Sequence, residues 1–205
     1  AGRKFDSVKV IDGLKLMLWG MFMKVVLADR IAIYANTILD NYQFHNGISC
    51  FIASICYTIQ IYGDFSGYSL LAIGSGKIMG FDLINNFNRP YLASSITDFW
   101  RRWHISLTQW LTSYVYIPLG GNRCSKVRCY INILITFLVS GIWHGANWTF
   151  IFWGFLHGLF QIIEKILGFN YTPTNRLNKF IRIIVTFLIV NFAWIAFRMP
   201  TIADA

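Results

Sequence analysis

The stretch Cys129–Ile163, CYINILITFLVSGIWHGANWTFIFWGFLHGLFQII, runs for 35 residues without a formal charge. A membrane-spanning helix needs about 20 mostly apolar residues, and backbone satisfaction in lipid favours helices over irregular chain. At this length the run reads either as two short crossings joined near Gly145 or as one crossing followed by a buried, broken helix. Both flanks are basic, Arg123, Lys126 and Arg128 before it and Lys165, Arg176, Lys179 and Arg182 after it. A hairpin therefore places both flanks on the cytoplasmic side by the positive-inside rule.

The rest of the chain has the same character. Of 205 residues, 56% are hydrophobic and only 13% charged, with a mean hydropathy of +0.50, which excludes an ordinary soluble domain. The expected architecture is all-α, a polytopic transmembrane bundle with amphipathic or re-entrant helices. The lipid bilayer is its first partner. The net charge of +9 lies in short loops beside apolar runs rather than on one basic face, so nucleic acid is not expected as a partner. Starting at AGRKFD, without an initiator Met, signal peptide or lipidation signature, residues 1–205 read as a single membrane domain cut from a longer polytopic protein.

Residues 10–28 carry Asp12, Lys15 and Lys24 and read as an interfacial or bundle-buried helix rather than a simple crossing. Asn41–Gly63 is a candidate span. The small residues of Gly63–Phe81 allow close helix packing. Gly74, Gly76 and Gly80 miss the dinucleotide fingerprint by one residue, and Lys77 precedes Ile78 where a phosphate loop needs Ser or Thr, so both readings are rejected. A last span is expected over Ile181–Phe197. Cys50, Cys56, Cys124 and Cys129 lack C-x-x-C spacing and read as unpaired thiols or packing residues.

Residues 95–116 read as one amphipathic helix. Ile96, Phe99, Trp100, Trp103, Leu107, Trp110, Leu111 and Tyr114 form its apolar face, Ser95 and Asp98 a capping box, and Pro118 with Gly120–Gly121 its stop. His104 falls at the border of that face. Of the other histidines, His45 beside Asn46–Gly47 reads as a turn residue. His157 shares a stripe with Gln161 and Glu164, best read as helix-to-helix polar contact.

His144, in SGIWHGANW (Ser140–Trp148), is the anomaly. Asn132, Thr136 and Ser140, four apart, form a polar stripe leading towards it through apolar sequence. A polar group deep in a membrane is expensive unless it is paired or lines a wet path. The residues leave two readings open, an imidazole bonded to a helix carbonyl or a functional one, suited by its ordinary pKa of about 6.5 to taking a proton from a hydroxyl. No metal-binding spacing and no G-x-S-x-G elbow accompany it.

Two blocks, RPYLASSITDFWRRWHISLTQWLTSYVYIPLGGNR (Arg89–Arg123) and SGIWHGANWTFIFWGFLHG (Ser140–Gly158), closely resemble the bacterial membrane-bound O-acyltransferase family in its alginate O-acetyltransferase-like branch. YGDFSGYSLLAIG (Tyr62–Gly74) and GLKLMLWGMFMKVVLADRIAIY (Gly13–Tyr34) are similar to the same branch. The resemblance implies that His144 of the W-H-G motif is the catalytic histidine and His104 of the R-W-H motif the second family histidine. It makes Asp64, Ser66, Arg101, Arg102, Trp143 and Asn147 candidates for binding substrate or lining its path.

It further implies acyl transfer from a cytoplasmic-side donor, acetyl-CoA or a carrier-linked acyl group used as substrate rather than as bound cofactor. The acyl group passes outward across a bacterial cytoplasmic membrane, through an extracytoplasmic hydrolase-like partner, to a polysaccharide acceptor. Leu70 stands where many relatives carry aspartate, as in the teichoic-acid D-alanylation branch; its absence leaves the acyl group and acceptor open, with D-alanyl transfer for teichoic acid modification as the alternative. Arg101 and Arg102 are expected either to hold the donor's phosphates or to form a positive-inside face paired with Asp98. Apart from the resemblance, a transporter using the histidines as a proton path and a non-catalytic scaffold are the rival classes.

Overall fold

The structure, a computed structural model, describes residues 6–169, 171, 173 and 175–204. Among the described residues every regular element is a helix, residues 81–89 form an irregular connection, and the chain packs as two compact units, Ala1–Asn86 and Phe87–Ala205. Three helices, Gly47–Ile78, Lys126–His144 and Arg176–Arg198, are long and apolar enough to cross a membrane.

In the first unit, helix α1 (Ser7–Met21) passes through a π-helical stretch, Phe22–Ala28, into α2 (Asp29–Leu39). The return leg, α3 (Gly47–Ile78), has 32 residues and is about 48 Å long. Asp6 starts α1 by accepting from the Val8 and Lys9 amides, and Asn46 starts α3 by accepting from that of Ser49. The two segments separated in the sequence at Gly63 are thus one helix, because its glycines are contact points rather than breaks. A Cβ on Gly67 would fall 2.6 Å from the Gly20 carbonyl oxygen, and one on Gly74 2.5 Å from that of Gly13. Each glycine pair is seven residues from the next on both legs, so the backbones of α1 and α3 touch along an antiparallel seam. This also disposes of the phosphate-loop reading, since Gly74 and Gly76 lie inside α3.

Two of the three charges of 10–28 are answered across that seam. Asp12 pairs with Lys77 at 3.0 Å, and Lys24 pairs with Asp64. The helix expected to be interfacial or bundle-buried is therefore one whose Asp12 and Lys24 are matched by its neighbour.

In the second unit, α4 (Ile96–Trp100) and α5 (Ile105–Leu111) precede a π-helical turn, Thr112–Tyr116. Then come α6 (Lys126–His144), α7 (Trp148–Ile166) and α8 (Arg176–Arg198). The uncharged run is resolved as two helices joined at 145–147. Glycine again permits the close approach: a Cβ on Gly141 would strike the Phe150 carbonyl, and one on Gly154 that of Phe137.

The single amphipathic helix expected over 95–116 is corrected to two short helices with a sharp turn between them. Arg101–His104 is non-helical, and His104 starts α5 with φ +43°. A long-range partner takes over the Arg102 carbonyl, which a continuous helix would use, while the first-turn amides of α4 are satisfied from α7. The Glu164 carboxylate of α7 accepts from the Ile96 and Thr97 amides, and the Asn88 amide donates to the Arg102 carbonyl at 2.9 Å. Ser95 caps α4 as expected by accepting from the Asp98 amide, but the Asp98 carboxylate answers the Ser94 amide instead of closing the box on Ser95. Phe99, Trp100, Trp103, Leu107 and Leu111 are buried, whereas Trp110 and Tyr114 are exposed, which a straight helix would not produce. The chain leaves the π-turn through Gly120 and Gly121, both at positive φ.

Candidate active site

His144 is the last residue of α6. Gly145, at φ +149° and ψ 171°, ends the helix there, and a Cβ at that position would lie 3.0 Å from the Phe150 ring. The W-H-G sequence thus ends a helix abruptly and turns the chain back with an imidazole at the corner. Aromatic rings surround that imidazole: Trp143 with centroids 5.0 Å apart, Trp153 and Phe197 each at 5.1 Å, and Phe150 at 6.2 Å. Among the described residues none hydrogen-bonds it, so the reading of an imidazole tied to a helix carbonyl finds no bond to support it.

His104 reaches the same place from the break between α4 and α5. A non-glycine residue at positive φ is uncommon and is held there only by its surroundings. Its ring lies 6.0 Å from that of Trp143. The two histidines, 40 positions apart in the chain, therefore share one indole. Burial, and after it the charge of His144, pushes the His104 imidazole down to about 4. It is consequently neutral near pH 7, able to accept one hydrogen bond and donate another.

A cavity of about 510 Å³ opens in this unit, within the range of small-molecule sites. Thr136 and Ser140 of α6, Trp100 and Arg101 at the end of α4, Thr108 and Leu111 of α5, and Gln161 and Lys165 of α7 contribute to its wall. The expected stripe divides. Asn132 holds the glycine turn by donating to the Leu119 and Gly121 carbonyls, while Thr136 and Ser140 face the cavity. The Ser140 hydroxyl is buried without a partner. The wall reaches Ser140, one helical turn before His144, and Arg101, three residues before His104, but neither imidazole forms part of it.

The other candidates separate. Arg102 is held by Asp98 at 2.8 Å, one turn back on the chain, as the positive-face reading has it, whereas Arg101 faces the cavity. Asn147 caps α7 by accepting from the Thr149 amide and donates to the Pro200 carbonyl, so its amide is engaged in holding the corner. Asp64, paired with Lys24, and the buried Ser66 belong to α3 of the first unit. His157 is fully buried, accepting from the Trp100 indole at 3.3 Å, and Gln161 donates to Thr97. With Glu164 on the α4 amides, that stripe is the helix-to-helix contact expected. His45 is exposed at a turn, and all four cysteines are free.

Sequence reasoning missed one cluster in the wall. Lys165 and the Tyr116 hydroxyl each donate to the Asn122 side-chain oxygen at 2.9 Å. Burial, followed by the neighbouring Cys129, pushes the Tyr116 phenol up, so it stays protonated and donates. Lys165 reads in the sequence only as one of several flanking cations. Its place beside Glu164 on the α7 stripe was the available signal.

Two histidines on one indole, in a helical unit that also holds a cavity lined by hydroxyls and cations, are the features the comparisons with known proteins bear on. Residues 12–203 match the MBOAT, membrane-bound O-acyltransferase family, and the chain belongs to that multi-pass membrane family. It is 45% identical over 197 residues to the probable alginate O-acetylase AlgI of Pseudomonas aeruginosa, covering 96% of this chain and 37% of that protein. It is 41% identical over 198 residues to the peptidoglycan O-acetyltransferase of Helicobacter pylori, covering 94% and 37%. To the teichoic acid D-alanyltransferase of Bacillus subtilis it is 30% identical over 178 residues, covering 81% and 43%. The chain thus spans less than half the length of these relatives.

Proposed function

We propose that the chain carries the transfer centre of an O-acetyltransferase, in which His144 is the general base. The observation that supports this most is the convergence of His104 and His144 on Trp143. His144 takes the proton from an acceptor hydroxyl as its oxygen attacks the acyl carbonyl of a thioester donor. The C–O bond forms, the C–S bond breaks, and the proton leaves with the thiolate. Neutral His104 orients one of the reacting partners through a hydrogen bond. Positioned proton transfer of this kind contributes about 10²–10⁴-fold in rate.

The donor is acetyl-CoA or a carrier-linked acetyl group on the cytoplasmic side. The acceptor is a hydroxyl of a cell-surface polysaccharide, or of an extracytoplasmic hydrolase-like partner that passes the acetyl group on. The setting is a bacterial cytoplasmic membrane, and the family match running across both units supports a single membrane domain. Acetyl is preferred to D-alanyl because similarity to the O-acetylating relatives, 45% and 41%, exceeds the 30% to the D-alanylating one.

Full-length protein purified in detergent, given donor labelled in the acetyl group and a soluble acceptor, is expected to move the label into an acceptor ester. A transporter would leave the label on the donor, and that result would overturn the proposal.

A further inference from the structure

We infer that Cys124 and Cys129 form a dithiol site that peroxide closes to a disulfide, and that closure slows the reaction at the neighbouring cavity. The closure rests on the geometry of the two thiols alone; its effect on turnover rests on the acyltransferase reading.

The start of α6 brings the two side chains together. Ser125 is its N-cap, so Cys124 is the residue before the cap and Cys129 the fourth residue of the helix. Side chains in those two positions often pack against one another, usually as an apolar pair. Here both are thiols. The Cys124 sulfur lies 3.3 Å, and the Cys129 sulfur 3.2 Å, from the same Gly121 carbonyl oxygen. Asn132 also donates to that oxygen, at 3.4 Å, and reaches the Cys124 sulfur at 3.6 Å. A disulfide therefore removes both S–H donors and still leaves the carbonyl a partner. Cys50 and Cys56 give the contrast, since six residues along α3 turn them about 120° apart.

The pair is ordered for stepwise oxidation, because Cys124 is half-buried and Cys129 is buried. The Cys124 thiolate attacks one peroxide oxygen, the O–O bond breaks, and a water leaves as Cys124 becomes a sulfenic acid. The Cys129 sulfur then attacks the Cys124 sulfur. The S–S bond forms, the S–O bond breaks, and a second water leaves. Two thiols and one peroxide thus give one disulfide and two waters. Burial, and after it the Cys129 thiol, pushes the Cys124 thiol up. Little thiolate is then present near pH 7, and the pair stays reduced until peroxide is sustained.

The cavity meets the change through Cys129. In the reduced protein its sulfur lies 3.5 Å from the Asn122 side-chain oxygen, and 3.8 Å from both the Tyr116 hydroxyl and the Lys165 ammonium. Those three residues belong to the cavity wall, whereas Cys129 is not itself part of it. Drawing its sulfur onto Cys124 loosens a contact to each of the three.

Full-length protein in detergent, treated over time with hydrogen peroxide, tests the site by alkylation, trypsin digestion and mass spectrometry. Trypsin cuts after Lys126 and Arg128, so a Cys124–Cys129 disulfide holds two peptides together until it is reduced. Wild type is expected to yield that linked pair, with Cys50 and Cys56 not joined to each other. Its acetyl transfer is expected to fall severalfold and to recover with dithiothreitol. Cys124→Ser is expected to transfer at the wild-type rate before treatment. Neither Cys124→Ser nor Cys129→Ser is expected to show a loss that dithiothreitol reverses.

Cys124 and Cys129 alkylated as separate thiols after sustained peroxide would overturn the inference. So would a disulfide between them that leaves active protein transferring at its full rate. A disulfide that forms in protein transferring no acetyl even when reduced would remove the acyltransferase reading and leave the dithiol site standing.

Discussion

Gly145 meets two requirements at once, a positive φ at the end of α6 and room for the Phe150 ring. Alanine there meets a backbone penalty and a steric one together, so Gly145→Ala is expected to cost about 1–3 kcal/mol and to lower the unfolding temperature in detergent. It should also reduce acetyl transfer by misplacing His144. Ala146→Gly, at the adjacent exposed position, is the control and is expected to lower neither measurably. The polar stripe and its uncharged surroundings made His144 conspicuous in the sequence. What singles out His104 was not legible, because positive φ in a non-glycine residue leaves no periodic trace. Its border position on an assumed helix came from a wheel that the structure breaks.

At the scale of elements, two antiparallel hairpins use the same device, glycines that bring two backbones into contact. The hairpin of α1 and α3 adds the Lys24–Asp64 pair near the middle of α3, where an unmatched charge in a membrane is expensive. Asp64→Lys is therefore expected to reduce the protein recovered from membranes severalfold. Adding Lys24→Asp is expected to restore much of it, and a double-mutant cycle on unfolding temperature reads the coupling. Equal loss in the single and double variants would show that the pair does not couple the two helices.

Helix existence, the α6–α7 corner and close packing by small residues were all legible from composition and spacing. The break after Trp100 was not, because the Asn88 amide that takes the Arg102 carbonyl comes from outside the periodic segment. Nor did any local pattern show that Arg101 and Arg102 diverge. Neighbouring residues around a turn point different ways, and only the turn itself reveals it.

At the scale of the molecule, family membership makes the chain a multi-pass membrane protein, and its basic flanks predict an orientation. Because α6 and α7 form a hairpin, single cysteines at Arg128 and Lys165 in an otherwise cysteine-free variant are expected to label from the same, cytoplasmic face. Labelling of the two from opposite faces would contradict the hairpin orientation. The class of protein was legible in two histidine motifs set in apolar sequence. The cavity was not, since its wall draws on helices that the sequence separates by dozens of residues.

The most direct test of the central claim is acetyl transfer by His144→Ala in the full-length protein, measured at membrane levels matched to wild type. The account predicts a fall of about 10²-fold or more with donor binding intact. Transfer at the wild-type rate by a well-expressed His144→Ala variant would contradict it.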